Sequence, residues 1–338
     1  MIHVIHHQRS PAQGGHSLER VFSTVRGHLG ANFDVRVDTL PRPSTGLLPR
    51  ALNSAHASRY TADVHHVTGD VHYLTLTLPR DRTVLTVHDC IGVHTLAGYR
   101  RRLFRIFWLY LPVRASRIVT AVSDATRREL AALSGQNSDQ IRVIGNPVPD
   151  GIEQAARASW PARPTLLQVG TGPNKNLSRL AQALSGLPCR LVVVGRCGGG
   201  NEEALRASGI QWVSLQDITD AEMPALYRQA DVVVFASTYE GFGLPIVEAQ
   251  ATGRPLVTSR LAPMSDVAGE GACLVDPYDI DSIRSGIVRV LGDSNYRDFL
   301  VQRGFENVRR FEPGRIASQY ARLYEELSPH TESDGHSK

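Results

Sequence analysis

Lysine is almost missing from this 338-residue chain: of 37 basic residues only Lys175 and Lys338 are lysines, and Lys338 is the last residue. A general bias toward arginine accounts for the missing lysines but not for Lys175, the single internal one. An ammonium is a compact point charge and a guanidinium a wide planar fork, so either this position has a role that arginine does not fill or it escaped the bias by chance. Cysteine is scarce too. Cys90, Cys189, Cys197 and Cys273 include no CxxC pair, which reads as packing residues of a reducing compartment rather than a disulfide framework. No uninterrupted apolar run approaches the roughly 18 residues of a membrane span. The start, Met1-Ile-His-Val-Ile-His-His, has no basic segment followed by an apolar signal region. These absences predict a cytoplasmic protein. The formal charge of +4 is small and reads as spread along the chain, so no nucleic-acid partner is implied, while an anionic ligand is compatible.

What is present is ordinary globular material, 42% hydrophobic and 21% charged, in a chain long enough for two domains. Short β-rich runs alternate with helical stretches throughout, the pattern of parallel sheets with crossover helices. Strands are predicted near Ile2 to His6, Asp34 to Thr39, Asp63 to Val67, Thr83 to Val87, Ile118 to Ala121 and Ile141 to Ile144. A second set is predicted near Thr165 to Val169, Arg190 to Val194, Gln211 to Ser214, Val232 to Phe235, Pro255 to Thr258 and Ala272 to Val275. Between the sets, Gly-Asn-Pro-Val-Pro-Asp-Gly and Trp-Pro-Ala-Arg-Pro are turn chemistry. The expected division is therefore 1–146, 147–311, a final helix over 312–327 and a polar, disordered tail over 328–338. Doubly wound sheets bind ligands at the carboxyl ends of their strands, which puts the expected site in a cleft between two facing sheets.

The motifs follow strand ends. After Val232 to Phe235 comes Ala-Ser-Thr-Tyr-Glu240-Gly-Phe-Gly-Leu-Pro-Ile-Val-Glu248-Ala, a strand, a glycine loop and a helix. Pro245 suits a first helical turn, Gly241 and Gly243 let backbone approach a ligand, and the free N–H groups of a helix start attract phosphate. Glu248 is expected on the first turn, where its carboxylate can accept from two ribose hydroxyls; Glu240, before the glycines, is expected to face a sugar. The plainer alternative is a capped helix with an acidic first turn. A second loop, Gly170-Thr-Gly-Pro-Asn-Lys175-Asn-Leu, opens the next helix. A lysine at a helix N-terminus has the wrong sign for the macrodipole unless an anion joins it, which points to phosphate. An exposed loop lysine is the alternative.

These two loops strongly resemble glycosyltransferase family 4, whose members have the GT-B fold and carry two glutamates eight positions apart in a stretch much like EGFGLPIVEA. The loop with Lys175-Asn176, VTAVSD at Val119 to Asp124, the NPV turn at Asn146, Pro-Leu-Val-Thr from Pro255 and Val275-Asp-Pro also match. The resemblance implies two Rossmann-like domains, the first taking the acceptor and the second the nucleotide sugar, with the last helix returning to the first domain. It further implies retaining transfer from a nucleoside-diphosphate sugar; a UDP- or GDP-linked donor is expected, with a polysaccharide, a lipid-linked glycan or a small metabolite as acceptor. Neither metal nor cofactor is expected, because Lys175 and helix N-termini can neutralise the leaving diphosphate. By the same resemblance Glu248 binds the ribose, Glu240 and the Phe242 to Leu244 backbone the sugar and phosphates, and Lys175 the diphosphate. Many relatives place an arginine a few residues before this lysine; Thr171 to Asn174 offer none, and Arg196 after the next strand is the candidate substitute.

In the first half, Gly14-Gly15 after the first strand resembles the family's glycine pair near the donor phosphates and acceptor, or is simply a flexible helix entry. His88-Asp89 ends the strand Thr83 to Val87. The family places a comparable histidine near the donor sugar, so His88 is expected to hydrogen-bond it, with Asp89 fixing the histidine tautomer or meeting the acceptor. A satisfied strand-end histidine is the alternative. Asp279-Ile-Asp281 spells a metal-binding DxD but precedes a helix that Asp279 can cap. His6-His7 and His65-His66 put neighbouring side chains on opposite faces of a strand, poor geometry for one metal. Gly198-Gly199-Gly200 lacks the lysine of a phosphate loop and reads as a surface turn. Arg100 to Arg117 mixes arginines with Leu103, Phe104, Phe107, Trp108, Leu109 and Tyr110, either a peripheral contact with an anionic membrane face or a domain helix that buries its aromatics. Two other functions fit the same features: a sugar-nucleotide epimerase on this fold and a non-catalytic nucleotide- or glycan-binding module.

Overall fold

A computed structural model of the protein describes residues 1–13, 17–156 and 159–328. The chain divides into two compact units, Met1–Pro147 together with the helix Pro313–Leu327, and Val148–Glu312. The glycine pair Gly14-Gly15 and the tail beyond Ser328 lie outside the described residues.

The first unit holds β1 (Ile2–Gln8), β2 (Phe33–Thr39), β3 (Val64–Val67), β4 (Thr83–Val87), β5 (Ile118–Ala121) and β6 (Ile141–Val143) in one sheet of order β2-β1-β3-β4-β5-β6. The second holds β7 (Thr165–Val169), β8 (Arg190–Val194), β9 (Gln211–Leu215), β10 (Val232–Phe235), β11 (Leu256–Ser259) and β12 (Cys273–Val275), ordered β12-β11-β10-β7-β8-β9. Every pairing is parallel. The twelve strands fall where apolar, β-branched runs predict them, with bounds shifted by at most two residues. Central strands such as β4 and β10 are buried along their whole length; β10 is apolar throughout, and the two threonines of β4, Thr83 and Thr86, have hydrogen-bonded hydroxyls. Edge strands β2 and β9 are half-exposed instead. β1 runs two residues past its expected end because His7 and Gln8 are buried members of the sheet.

The final helix, Pro313–Leu327, buries Ile316, Ala317, Tyr320, Leu323 and Tyr324, a stripe at helical spacing, against β1 and the helix Ser17–Gly27. The four strand histidines sort onto two faces. His6 and His66, register partners on β1 and β3, both bond the Tyr324 hydroxyl, at 2.9 and 2.8 Å. On the other face His7 bonds Asp38 at 2.7 Å and His65 at 3.1 Å, and His56 reaches the same Asp38 at 2.9 Å. Burial pushes His6 and His66 well below the usual histidine range and His65 down to about 4.

Candidate functional site

In the second sheet β7 and β10 lie side by side although two strands separate them in sequence, and strand order reverses between them. Loops leaving such a pair run in opposite directions and open a crevice at the carboxyl edge, where doubly wound sheets hold ligands. Lys175 and Glu240 sit on these two loops.

After β7, Gly170 adopts φ +90°, and a Cβ there would lie 3.0 Å from Lys175 Cε, so glycine lets the lysine stem lie across the backbone. The turn Pro173–Lys175 leads into Asn176, left-handed at φ 61°. The Asn176 amide donates to Ala236 O at 3.0 Å and Pro277 O at 2.6 Å, which ties this loop to those following β10 and β12. Asn174 donates to Tyr239 O at 2.9 Å and Glu240 Oε1 at 3.2 Å. Lys175 Nζ donates to the same Oε1 at 2.6 Å and stands 4.8 Å from the Phe235 ring centroid. The two charged side chains are 22% and 13% exposed, so the pair is sheltered yet open to a ligand. An ammonium has three donors, and the Glu240 contact uses one.

After β10, Gly243 turns left-handed at φ 98°, and a Cβ there would press on Ile246 Cδ1 at 3.0 Å. The helix Leu244–Thr252 begins at once, with Pro245 in its first turn. Phe242 buries its ring edge-on against Phe311, 5.3 Å between centroids, so what it offers a ligand is backbone. Glu248 does not lie on the first turn as its sequence position suggests. With the helix starting at Leu244, the first turn holds no acid and Glu248 falls one turn deeper, only 3% exposed. Its Oε2 accepts a 2.5 Å hydrogen bond from the hydroxyl of Tyr227, on the helix Met223–Gln229. Arg196, offered as the cationic companion of Lys175, is exposed and gives its Nε–H to Gln216 at 3.1 Å; Asn174 is the residue that shares Glu240 Oε1 with Lys175. Sequence reasoning missed Asn174 and Tyr227. Asn174 is adjacent to Lys175 in the same loop, whereas Tyr227 lies 21 positions before Glu248 with no motif around it.

Residues 2–151 match the family model described as Glycosyltransferase Family 4, and residues 163–293 match Glycosyl transferases group 1. The chain belongs to glycosyltransferase family 4. It is similar to the O-antigen chain mannosyltransferase B of Escherichia coli, 28% identical over 273 residues that make up 73% of this chain and 71% of that one. It is also similar to the phosphatidyl-myo-inositol mannosyltransferase of Mycobacterium leprae, 34% identical over 62% of this chain; that alignment spans 59% of the relative's length. Among solved structures, Anabaena HepE in complex with UDP-glucose superposes with a TM-score of 0.74 at 17% identity, covering 96% of this chain and 100% of that one. That likeness shows the GT-B fold.

In this glycosyltransferase's first unit, strand order reverses between β1 and β3. Thr68 follows β3, and its carbonyl lies 2.9 Å from His88 Nε2. A carbonyl only accepts, so the proton sits on Nε2 and Nδ1 carries a lone pair. That Nδ1 is buried and has no hydrogen-bond partner among the described residues. Burial lowers the His88 pKa, opposed by the charge of Asp70 and the Thr68 carbonyl, so the ring is neutral at pH 7. The tautomer is thus set by Thr68 and not by Asp89, whose Oδ1 accepts from Ile91 N–H at 2.9 Å, two residues on, where the helix Ile91–Thr95 begins. Arg9 pairs bidentately with Glu19 at 2.8 and 3.2 Å and lies 3.6 Å from Asp70. Asp279 is the N-cap of the helix Ile280–Gly292, accepting from Asp281 N–H at 3.0 Å. The glycine triplet is exposed, as expected of a surface turn, and Gly199 in that turn is the N-cap of the helix Gly200–Ala207.

Proposed function

We propose that this glycosyltransferase moves a mannosyl or related hexosyl group from a UDP- or GDP-linked sugar to a hydroxyl of a lipid-linked or polysaccharide acceptor, with retention of anomeric configuration. The observation that carries the reading is the Lys175–Glu240 pair beside a glycine-started helix at the reversal point of the second sheet. Lys175 and the helix N–H groups face the diphosphate, Glu248 the ribose, and Glu240 with the Gly241 to Leu244 backbone the sugar. Similarity to proteins named for mannosyl transfer to O-antigen and to phosphatidyl-myo-inositol supports the sugar and the acceptor class, and HepE, solved with UDP-glucose, supports the donor class.

In the proposed step the bond between the sugar C1 and the phosphate oxygen breaks while an acceptor oxygen bonds to C1 on the same face. The acceptor's proton passes to the departing phosphate. Lys175 and the helix start stabilise the charge that develops there, without metal or cofactor. His88 accepts a hydrogen bond from a substrate hydroxyl through Nδ1.

Peripheral contact with the anionic inner membrane face belongs to the same reading. Net charge is not evenly spread: Leu40 to Ala62 and Cys90 to Ser123 hold nine of the 37 basic residues and none of the 33 acidic ones. The helical run Gly98 to Ala115 buries Leu109, Pro112 and Val113 but leaves Tyr99 71%, Leu103 48% and Phe107 52% exposed among Arg100, Arg101, Arg102 and Arg105. Arg50 stacks over Trp108 of this run at 4.9 Å, which brings the helix Leu47–Ala57, with exposed Leu47 and Leu48, alongside it. Apolar side chains framed by arginine suit an interface of acyl chains and anionic headgroups. Among the described residues no helix is long and apolar enough to cross a membrane.

Incubation of the protein with each nucleotide sugar, with and without a glycolipid acceptor, tests the reaction. NMR of the product should show the donor's anomeric configuration, and no product without acceptor. An inverted product removes the retaining mechanism, and epimerised donor formed without acceptor removes transfer.

A further inference from the structure

We infer that Tyr227 is a positioning residue for the nucleotide: its hydroxyl holds the Glu248 carboxylate in the one rotamer that grips a ribose diol. The inference rests on the assignment of Glu248 to the ribose and adds the device that makes it work.

A carboxylate buried to 3% exposure costs folding free energy unless it is hydrogen-bonded, and a glutamate side chain on a helix has several rotamers to choose from. An ionised carboxylate only accepts, so in the 2.5 Å contact the phenol is the donor and Glu248 Oε2 the acceptor. A phenol directs its O–H in the plane of its ring, and the Tyr227 ring is fully buried. The contact therefore fixes where Oε2 sits and restricts Glu248 to rotamers that keep this oxygen at the phenol.

The platform beneath is rigid as well. Arg254, 3% exposed and just past the end of the Glu248 helix, gives its Nε–H to Tyr227 O at 3.1 Å and an Nη2–H to Arg228 O at 2.9 Å. Those are the last carbonyls of the Tyr227 helix, which need donors. The guanidinium thus clamps the end of one helix to the end of the other, and the phenol and carboxylate face each other across that clamp.

A tyrosine that only filled the core would affect every ligand of the site alike. A tyrosine that aims Glu248 affects only ligands with ribose hydroxyls. The test is calorimetric titration of UDP and GDP, each beside its 2′-deoxy form, into wild type, Tyr227→Phe, Glu248→Gln and Glu248→Asp. Glu248→Asp keeps the charge but withdraws it from the phenol. For the nucleotide that wild type binds, Tyr227→Phe should weaken the ribo form about tenfold and the deoxy form less than about twofold, since a hydrogen bond to a charged group is at stake. Glu248→Asp should show the same selective loss, and donor KM should rise with kcat nearly unchanged in Tyr227→Phe. Equal weakening of both forms, or a wild-type ribo preference in Tyr227→Phe or Glu248→Asp, overturns the inference. If Glu248→Gln abolishes the preference while Tyr227→Phe keeps it, only the role of Tyr227 falls. If Glu248→Gln keeps it, the ribose assignment falls and the inference with it.

Discussion

Lys175 is held by geometry that arginine does not reproduce. Its stem lies flat over Gly170, its ammonium meets one oxygen of Glu240, and the Phe235 ring lies beneath. A guanidinium on a longer stem would have to displace one of these contacts. Lys175→Arg should therefore weaken nucleotide-sugar binding at least about tenfold, close to Lys175→Ala, with the ligand-free melting temperature little changed; calorimetry beside thermal melting checks both. The lysine was legible because composition isolated it and a glycine loop framed it. His88 was legible as a strand-end histidine, but its tautomer was not. The partner that fixes the tautomer, Thr68, is brought in by sheet pairing and not by sequence proximity.

At the scale of elements, the strands were legible because β-branched and apolar residues recur in short runs between turn and helix signals, as in β8 and β10. The depth of Glu248 was not, because one glycine decides it. Gly243 in the left-handed region sets the helix start at Leu244 and so puts the glutamate on the second turn. Gly243→Ala should destabilise the fold by about 1–3 kcal/mol, seen in urea denaturation, since both the backbone angle and the contact with Ile246 resist a Cβ. The last helix is fixed in a comparable way by Tyr324, which bonds two histidines that only sheet register brings together. Tyr324→Phe leaves His6 Nε2 and His66 Nδ1 without that hydroxyl and should cost about 1–3 kcal/mol in the same assay. These histidines also set an acid limit. His65, at about 4 in the fold against 6.5 when unfolded, resists a proton that the unfolded chain accepts. Its stabilising contribution is complete above pH 6.5 and is lost as pH falls toward 4. His6 and His66, lowered further, act in the same direction. Acid unfolding of the first unit, followed by circular dichroism, should start below pH 6.5, and Tyr324→Phe should not remove that dependence.

On the scale of the whole molecule, two doubly wound units follow from two runs of strands separated by turn chemistry. The uneven distribution of arginine is visible only when charge is counted by segment instead of over the chain. If the acid-free segments meet a membrane, vesicles with anionic lipid should carry the protein upward in flotation, and replacing Arg100, Arg101, Arg102 and Arg105 by glutamine should leave it at the bottom. Protein that stays unbound at low salt argues that the segment only covers a core. The central claim, that the Lys175, Glu240 and Glu248 site grips a nucleoside-diphosphate sugar, is tested most directly by calorimetric titration of UDP- and GDP-sugars into wild type, Lys175→Ala and Glu248→Ala. The account predicts saturable binding of one of these donors to wild type and a loss of about tenfold or more in each variant, with melting temperatures preserved. Affinities equal to wild type in both variants would contradict it.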